Sequence, residues 1–185
     1  MKNSKFNLML AALTSIVLVS SCDKVKEKAK VDITFDLNMP SVKLYVDTFS
    51  AFGNVTLDST VIQSSLQKSM DDNNVTFADI ESVRLTGAEV EMVNPGTQNF
   101  NLINKAYALM SASGLAETQV AFIDPVPSNV TKISLSSDGA DLVNYLKQNS
   151  FTFRLGASTT APNTERDTLN VKLNFTVTAL VAAPL

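Results

Sequence analysis

The stretch TLNVKLNFTVTALV, residues 168–181, decides the fold. Its apolar and polar side chains alternate over the twelve positions from Thr168 to Ala179. Period two is typical of a half-buried β-strand, because successive side chains point to opposite faces of a sheet. A shift of one residue in pairing would move the whole apolar row into water, so we expect a strongly specified register. The apolar row consists of Leu169, Val171, Leu173, Phe175, Val177, Ala179 and Val181.

The same alternation recurs along the rest of the chain and predicts further strands. Where it passes Gly87-Ala88, the phase of the pattern changes, which indicates a β-bulge within one strand. Asn94-Pro95-Gly96 has the residues of a turn that closes that strand, and the polar segment 158–167 predicts an exposed hairpin loop. The predicted strands before the last one cover residues 31–39, 42–46, 52–57, 83–92, 106–111, 118–123, 131–135 and 151–155.

Two segments have helical spacing instead. The first predicted helix runs through residues 61–70, with a cap supplied by one of residues 58–60. The second covers 140–148, with Asp138 as its cap and Asp141 in its first turn, where a negative charge suits the helix dipole. Residues 76–79 predict a single further turn. Eight or nine strands with two short helices predict a mainly β protein, an antiparallel β-sandwich formed by one domain over residues 31–185.

The N-terminus has the order of an export signal. Lys2 and Lys5 give residues 1–21 a positive start, an apolar run follows over 8–19, and small residues come next. The run is shorter than the ~20 residues of a typical membrane-spanning helix. Residues 19–22, Val19-Ser20-Ser21-Cys22, resemble the lipobox of bacterial lipoproteins. That resemblance implies a diacylglyceryl thioether on Cys22, cleavage before it, and usually N-acylation, with palmitate as a typical acyl chain.

Two other interpretations of Cys22 remain open. An ordinary signal peptide cut nearby would leave Cys22 as an idle thiol, and an uncleaved signal would serve as an anchor. The lipobox interpretation explains best why an exported chain has a single cysteine. One acyl chain anchors a protein marginally, whereas two or three hold it firmly. We therefore expect Cys22 as the lipidation site and residues 22–30 as a short lipidated tether.

The tether and the domain differ in the sign of their net charge. Lys24, Lys26, Lys28 and Lys30 make the tether basic, which favours contact with anionic lipid headgroups. Residues from Val31 onward carry 9 Lys and Arg against 16 Asp and Glu, a net charge of −7. An acidic domain repels phosphate backbones, so we expect no nucleic-acid partner.

The chain lacks the residues that several kinds of catalysis and metal binding require. The chain has no histidine, and its only cysteine is assigned to lipid, which excludes Ser-His-Asp catalysis and the usual zinc ligand sets. None of the six glycines forms a phosphate-binding loop. Ser65 and Lys68 have S-x-x-K spacing, but the companion motifs of Ser-Lys enzymes are absent, so an exposed helix face is the favoured interpretation. We expect no catalytic residues and no cofactor.

The remaining candidates for catalytic or calcium-binding residues are mainly carboxylates. Glu89 and Glu91 lie two apart on one predicted strand and could form the acid pair of a glycoside hydrolase, although the solvated face of that strand is the favoured interpretation. Asp71, Asp72 and Asn73 form an oxygen-rich segment that could bind Ca²⁺, and the alternative is a turn after a helix. A weaker calcium candidate is the set Asp124, Asp138 and Asp141.

These observations predict a lipid-anchored protein of the bacterial cell envelope, at the outer membrane. The leading function is a non-enzymatic binding or assembly module that contacts protein or glycan partners near that membrane. The alternatives are a carrier of lipid or another small ligand, an adhesin domain and, with the least support, a carboxylate-based hydrolase. A closed apolar cavity would favour the carrier, a carboxylate pair in a cleft the hydrolase, and an exposed apolar patch a protein partner.

Overall fold

The computed structural model describes residues 30–50, 52–93 and 99–182. The signal segment, Cys22 and the Asn94-Pro95-Gly96 turn lie outside the described residues. Asp32–Val181 form one compact unit. The strands are β1 (Lys30–Asn38), β2 (Val42–Val46), β3 (Gly53–Gln63), β4 (Ile80–Met92), β5 (Ile103–Ala112), β6 (Leu115–Ile123), β7 (Lys132–Ser137), β8 (Ser150–Thr159) and β9 (Asp167–Ala182). The helices are α1 (Leu66–Asp72) and α2 (Val143–Leu146), with a 3₁₀ turn at Phe100–Leu102.

The fold is mainly β, as the alternation predicts. Nine antiparallel strands form one curled sheet in the order β1-β9-β4-β7-β6-β5-β8-β3, with β2 also paired to β9. The two helices are short, so the predicted class of an antiparallel β protein with two short helices is confirmed. The strand predictions extend by a few residues at most ends, and the predicted bulge is present, because the register between β4 and β9 shifts between Leu85 and Gly87.

β9 has a strand on each side. β4 pairs along Leu169–Ala179 on one side, and β1 and β2 lie on the other. β1 and β2 run in the same direction and are separated only by a short break at Pro40, which cannot donate to a ladder. The apolar row from Leu169 to Ala179 is buried throughout, with at most 2% of any side chain exposed. Pairing on both sides therefore fixes the register that the sequence predicts.

The sheet bends at β7. The first part of β7 pairs with β4, through Glu91↔Lys132 to Ala88↔Leu135. Its last two residues, Ser136 and Ser137, pair instead with β6. A strand that changes partners in this way makes a corner between two halves of a sheet. The two halves enclose the core, which includes Phe151 and Phe153 from β8 opposite Phe175 from β9.

The two edges of the curled sheet meet at Asp58. This residue follows a bulge in β3, where the register with β8 shifts between Thr56 and Asp58. Its Oδ2 accepts a hydrogen bond of 2.7 Å from the backbone N–H of Tyr45 in β2, and its Oδ1 accepts one of 2.7 Å from the N–H of Ser59. A side chain thus replaces ladder pairing between β2 and β3, and it occupies an edge donor that would otherwise invite another strand.

The connections gather at two ends of the sheet, because all strands are antiparallel. We call one end the helical end, formed by residues 64–79, 113–114 and 138–149, which include α1 and α2. We call the other the four-loop end, formed by the described parts of residues 47–52, 93–102, 124–131 and 160–166.

The first predicted helix starts too early. Val61 and Ile62 belong to β3, paired with Thr152 and Phe151 of β8, and α1 begins only at Leu66. Ile62 is 3% exposed and Val61 is 61% exposed, which is the alternation of a strand. β-branched residues suit a strand, and pairing with β8 outweighs the helical spacing.

The second predicted helix is reduced to four residues. α2 covers only Val143–Leu146, and the predicted cap Asp138 does not cap it. Asp141 instead accepts hydrogen bonds from the backbone N–H groups of Val143 at 3.1 Å and Val83 at 3.0 Å. The carboxylate therefore joins the helix start to β4. The predicted turn at residues 76–79 is present, and Asp79 accepts from the Thr76 N–H at 2.9 Å.

The predicted hairpin at residues 158–167 is wrong. β8 pairs with β3 and β5, whereas β9 pairs with β1, β2 and β4, so the connection crosses between the two halves of the sheet. Residues through Thr159 belong to β8. Asn163 is only 7% exposed, although it lies in a segment that composition marks as a solvated loop.

We predict that Gly156→Ala destabilises the protein by about 1–3 kcal/mol, the usual cost of overpacking. The ring of Tyr107, the cross-strand neighbour of Gly156, covers this glycine so closely that a methyl group would overlap it. The free energy of unfolding in urea measures the loss. The same substitution in a Tyr107→Ala background should cost much less. An equal cost in both backgrounds would contradict the overlap.

Candidate functional site

The four-loop end is held together by hydrogen bonds between its loops. Loop 93–102 joins loop 124–131, because Asn101 Nδ2 donates to Asn129 Oδ1 at 3.0 Å and the Asn129 N–H donates to Asn101 Oδ1 at 2.6 Å. The Phe100 N–H adds a bond of 3.0 Å to the Val130 carbonyl. Asn129 adopts a positive φ of 59°, which asparagine tolerates better than most residues. The two loops therefore form one surface.

The other two loops join the same network. Phe49 and Asn163 exchange a pair of backbone hydrogen bonds, each 3.0 Å long, which links loop 47–52 to loop 160–166. The Thr160 N–H donates to the Leu102 carbonyl at 2.9 Å, which links loop 160–166 to loop 93–102. Loops positioned by a rigid sheet are a common place for binding residues. These hydrogen bonds between the loops give the four-loop end a fixed form in the absence of a partner.

Asn163 organises the polar part of this end. Its Nδ2 donates to the backbone carbonyl of Glu165 at 2.7 Å and to Asp167 Oδ2 at 3.3 Å, and its Oδ1 accepts from the Glu165 N–H at 3.5 Å. The side chain is buried, so these bonds compensate for the loss of water. Asn163 thereby fixes the backbone that carries Thr164 and Glu165.

The titration of the Asp167 carboxyl is affected by its surroundings. Partial burial raises the pKa of its carboxyl above the usual range, the hydrogen bond from Asn163 opposes that shift, and the charge of Glu165 adds to it. The carboxylate is therefore less well solvated than an ordinary surface aspartate.

An open depression of about 230 Å³ lies over these residues, and we call it the loop depression. Six of its seven lining side chains are polar, and no lysine or arginine is among them. Its lining residues are Asn99, Asn101, Leu102, Asn163, Thr164, Glu165 and Asp167.

A small apolar cavity lies beneath the same end, lined by residues such as Val46, Phe49, Leu57, Phe100 and Leu169. Its volume of about 30 Å³ is enough for a water molecule but not for an organic ligand.

Exposed apolar side chains surround the four-loop end. Phe52 is 75% exposed and Tyr45 is 65% exposed, and Val93 and Leu102 are also exposed. Phe52 directly precedes Gly53, which pairs with Thr159, so it lies beside the start of loop 160–166. Four of the seven exposed large hydrophobic residues in the described chain are thus at or next to this end. Such grouping is typical of a contact surface.

The helical end carries a larger depression. Its volume is about 450 Å³, and four of its eight lining residues have amide side chains, while Phe77 and Lys147 also line it. The ammonium of Lys147 lies 5.6 Å from the centre of the Phe77 ring, within cation–π range, so it already uses the aromatic surface. Two hydrogen bonds join its two helical segments, one from the Ser64 N–H to the Asn149 carbonyl at 2.9 Å and one from Ser64 Oγ to the Leu146 carbonyl at 2.5 Å.

The predicted Ser-Lys pair is not assembled. Ser65 Oγ donates to the sulfur of Met39 at 3.2 Å, while Lys68 Nζ lies 2.6 Å from Asp72. The hydrogen bond from Lys68 to Asp72 and the charge of that carboxylate raise the pKa of Lys68. A lysine that acts as a base needs a lowered pKa, so this geometry opposes Ser-Lys chemistry.

The calcium candidate Asp71, Asp72 and Asn73 is engaged elsewhere. Asp71 accepts from Gln67 at 2.8 Å, Asp72 pairs with Lys68, and Asn73 Nδ2 donates to the Ser69 carbonyl at 2.8 Å. Among the described residues, no group of three or more Asp, Glu, His or Cys is placed to hold a metal ion.

The other carboxylate candidates are dispersed. Glu89 and Glu91 flank the buried Val90 and face outward as predicted, and Glu89 pairs with Lys132 at 3.0 Å. Asp124 follows β6 at the four-loop end, where it pairs with Lys105 at 3.5 Å. Asp138 and Asp141 lie at the helical end, so the structure does not bring this weaker calcium set together.

The sequence does not predict that the residues of the loop depression form a site. Asn99, Asn163 and Asp167 lie in polar segments whose composition predicts solvated loops. Their proximity depends on which loops meet at one end of the sheet, and no local pattern carries that information. The nearest signal is the polar run 158–167, which predicts a loop but not a buried asparagine.

No protein-family model matches the chain, and no curated protein matches it. Among solved structures, the chain is similar to the infectious bursal disease virus VP2 subviral particle, at 10% identity and a TM-score of 0.34, over 80% of this chain and 33% of that one. It is also similar to a structure of desmodium yellow mottle tymovirus, at 8% identity and a TM-score of 0.25, over 84% and 91%. The chain thus spans a third of the first structure. At these TM-scores neither likeness carries an argument about function.

No helix among the described residues combines the length and apolar content needed to cross a membrane.

We predict that Asp167→Asn stabilises the protein near neutral pH. A raised carboxyl pKa means that stability falls as pH rises from the ordinary aspartate pKa towards the raised value, and an amide lacks this loss. The amide oxygen can still accept from Asn163. The gain in unfolding free energy should be present at pH 7 and shrink below about pH 4, where the carboxyl is protonated in both states. Thr164→Ala, which removes no charge, should show no such pH dependence. A gain that grows towards acid would contradict the assignment.

Proposed function

We propose that this protein is a non-enzymatic binding or assembly module of the bacterial cell envelope, anchored by lipid on Cys22, which contacts a protein or glycan partner through its four-loop end. The observation that carries the proposal is the set of four loops joined by hydrogen bonds, with exposed apolar side chains around it and a polar depression within it. A surface of this kind offers a fixed shape, which lowers the entropy cost of binding.

The direction of β1 places the start of the domain at the helical end. Thr176 Oγ1 donates to Asp36 Oδ1 at 3.4 Å, and the strands are antiparallel, so Asp32 lies towards the β9 end that carries Leu180. The four-loop end is therefore the opposite end of the sheet.

The basic tether and the acidic domain suit a lipid-anchored protein. The lysines after Cys22 favour anionic headgroups, and the residues from Val31 onward carry a net charge of −7. We place the protein at the outer membrane on the basis of the lipobox resemblance. An adhesin domain would use the same surface and remains the nearest alternative. The carrier alternative has little support, because a cavity of about 30 Å³ is far below the 300–1,000 Å³ of ligand pockets.

A carboxylate-based hydrolase is the second candidate, favoured by one observation. Asp167, whose pKa is raised by partial burial, lines the loop depression together with Glu165, and glycosidases use a pair of carboxyl groups. The pair predicted from sequence, Glu89 and Glu91, lies on a solvated strand face and does not contribute to this depression. Release of reducing ends from a bound oligosaccharide would distinguish the hydrolase from the binding module.

We predict that Cys22→Ser releases the protein from membranes. Without the thiol no thioether can form, so the anchor and its acyl chains are lost. Metabolic labelling with radioactive palmitate should label the unchanged protein and not the variant, and fractionation should move the variant out of the membrane pellet. Ser21→Ala, which keeps a small residue before Cys22, serves as the control and should remain labelled. Label retained by Cys22→Ser would contradict the anchor.

We predict that partner capture depends on the four-loop end. The membrane-anchored protein is cross-linked in cells, and co-purifying material is compared between Phe52→Ser and Phe77→Ser. These substitutions remove one exposed phenylalanine from each end of the sheet. Loss of a specific partner only in Phe52→Ser is the expected result. A loss only in Phe77→Ser would move the contact surface to the helical end, and an equal loss in both variants would contradict a contact confined to the four-loop end.

A further inference from the structure

We infer that the depression at the helical end, which we call the helical depression, binds a uronic acid residue of an acidic saccharide. This site is at the opposite end of the sheet from the four-loop end. The inference therefore goes beyond the proposed function and does not depend on it. The volume of the helical depression, about 450 Å³, lies within the ~300–1,000 Å³ of ligand pockets.

The helical depression carries the charge of one ammonium group. Lys147 lines it, and none of its eight lining residues is an aspartate or a glutamate. Lys147 is exposed, and within the described part of the chain its ammonium has no carboxylate partner. The carboxylates of α1 are engaged elsewhere, Asp72 with Lys68 and Asp71 with Gln67. Charges further away on the acidic domain are largely screened beyond ~10 Å at 0.1 M salt, so the local ammonium favours a singly charged anion.

Phe77 supplies the apolar surface that a sugar ring needs. Its side chain is 37% exposed, and the Lys147 ammonium lies 5.6 Å from the centre of its ring. The ammonium thus occupies part of the aromatic surface and leaves part of it accessible. The C–H face of a sugar can pack on a phenyl ring while a carboxylate on the same sugar pairs with the adjacent ammonium. Ring and ammonium are close enough for one uronic acid to contact both.

Three unengaged amide side chains share the helical depression with these two groups. Gln63, Gln148 and Asn149 are exposed, and their side chains make no hydrogen bond among the described residues. The fourth amide of the lining, that of Gln67, is already bonded to Asp71 and is not counted. Because an amide both donates and accepts, three of them suit the hydroxyl groups of a sugar, which do the same.

The walls of the helical depression are fixed by hydrogen bonds. Ser64 donates twice, from its N–H to the Asn149 carbonyl at 2.9 Å and from its Oγ to the Leu146 carbonyl at 2.5 Å. Phe77 lies in the same turn as Asp79, whose backbone carbonyl accepts a hydrogen bond of 2.8 Å from β9. A ligand therefore needs little rearrangement of the backbone, which lowers the entropy cost of binding.

The lining disfavours other classes of ligand. Phosphate sites usually combine several cations with clustered backbone N–H groups, whereas the side chains of the helical depression include one lysine. Protein segments anchor themselves by apolar side chains in well-packed pockets, but the apolar lining consists of Phe77 and Leu146, and Leu146 is only 1% exposed. A neutral sugar would leave the ammonium without a partner. A uronic acid uses the ammonium, the ring and the amides together.

Saturation-transfer NMR with the full-length protein in detergent micelles tests the inference. The probes are disaccharides of galacturonic acid and of glucuronic acid, the neutral disaccharides of galactose and glucose, and glucose 6-phosphate. We expect transfer to at least one uronic acid probe, with a dissociation constant about tenfold lower than that of its neutral counterpart. No transfer to either uronic acid probe, equal affinity for the neutral counterpart, or tighter binding of the phosphate would overturn the inference.

Variants locate the site. Lys147→Gln keeps a long polar side chain and removes the charge, so the uronic acid should bind as weakly as its neutral counterpart, and Lys147→Arg should restore the difference. Phe77→Ser should weaken the binding of both. Lys68→Gln removes a charge from the same end of the sheet but outside the lining, and should leave binding unchanged. Both lysines are exposed, so neither substitution should unfold the protein. Equal losses in Lys147→Gln and Lys68→Gln would overturn the placement.

Competition distinguishes the saccharide from an acidic protein segment. A short glutamate-rich peptide that displaces the uronic acid and binds more tightly would assign the helical depression to protein segments and overturn the inference. Phe52→Ser, at the four-loop end, should leave uronic acid binding unchanged. Binding that is lost in Phe52→Ser and kept in Phe77→Ser would reject the helical depression as the site. A protein that captures its partner through Phe52 but binds no uronic acid would retain the proposed function and reject this inference alone.

Discussion

The structure depends on the pairing of β9 on both of its sides. Its apolar row is buried from Leu169 to Ala179, with β4 on one side and β1 and β2 on the other. Because the period of a strand is two, a shift of one residue would expose the row, and the hydrophobic effect opposes that shift. The order of the neighbouring strands and the corner at β7 follow from this centre. The ends of the sheet, where the loops meet, are fixed in consequence.

The functional surface is a product of that antiparallel order. Loops 47–52, 93–102, 124–131 and 160–166 are remote in sequence, yet each must return at the same end of the sheet. Once there, backbone and asparagine hydrogen bonds join them, and Asn163 becomes buried among polar groups. The polarity of the loop depression thus comes from loop composition, and its rigidity comes from the sheet. This separation is common in β proteins whose scaffold is indifferent to the ligand.

Much of the fold was predictable from sequence, and the site was not. Strict alternation in β9 and the glycine phase change in β4 depend on local period, so the strand and the bulge could be predicted. Val61-Ile62 satisfies both helical and strand spacing, and only pairing with β8 decides between them. The prediction of a hairpin at residues 158–167 was wrong because composition cannot show which half of a sheet the next strand joins. Asn163 and Asp167 were missed for the same reason, since their burial depends on loops that are distant along the chain.

β9 follows all the other described strands along the chain. Until β9 has been synthesised, β1 and β2 have no ladder partner among the described residues, and β4 has only the short first part of β7. Pairing between strands that are distant along a chain is slow, because the entropy of closing so long a loop must be overcome first. β3, β5, β6 and β8 can pair with one another earlier, but the half of the sheet that contains β1, β2 and β4 cannot close until β9 is present. That delay suits a protein whose N-terminus resembles an export signal, since a translocation channel requires an extended chain and the finished sheet would not pass through it.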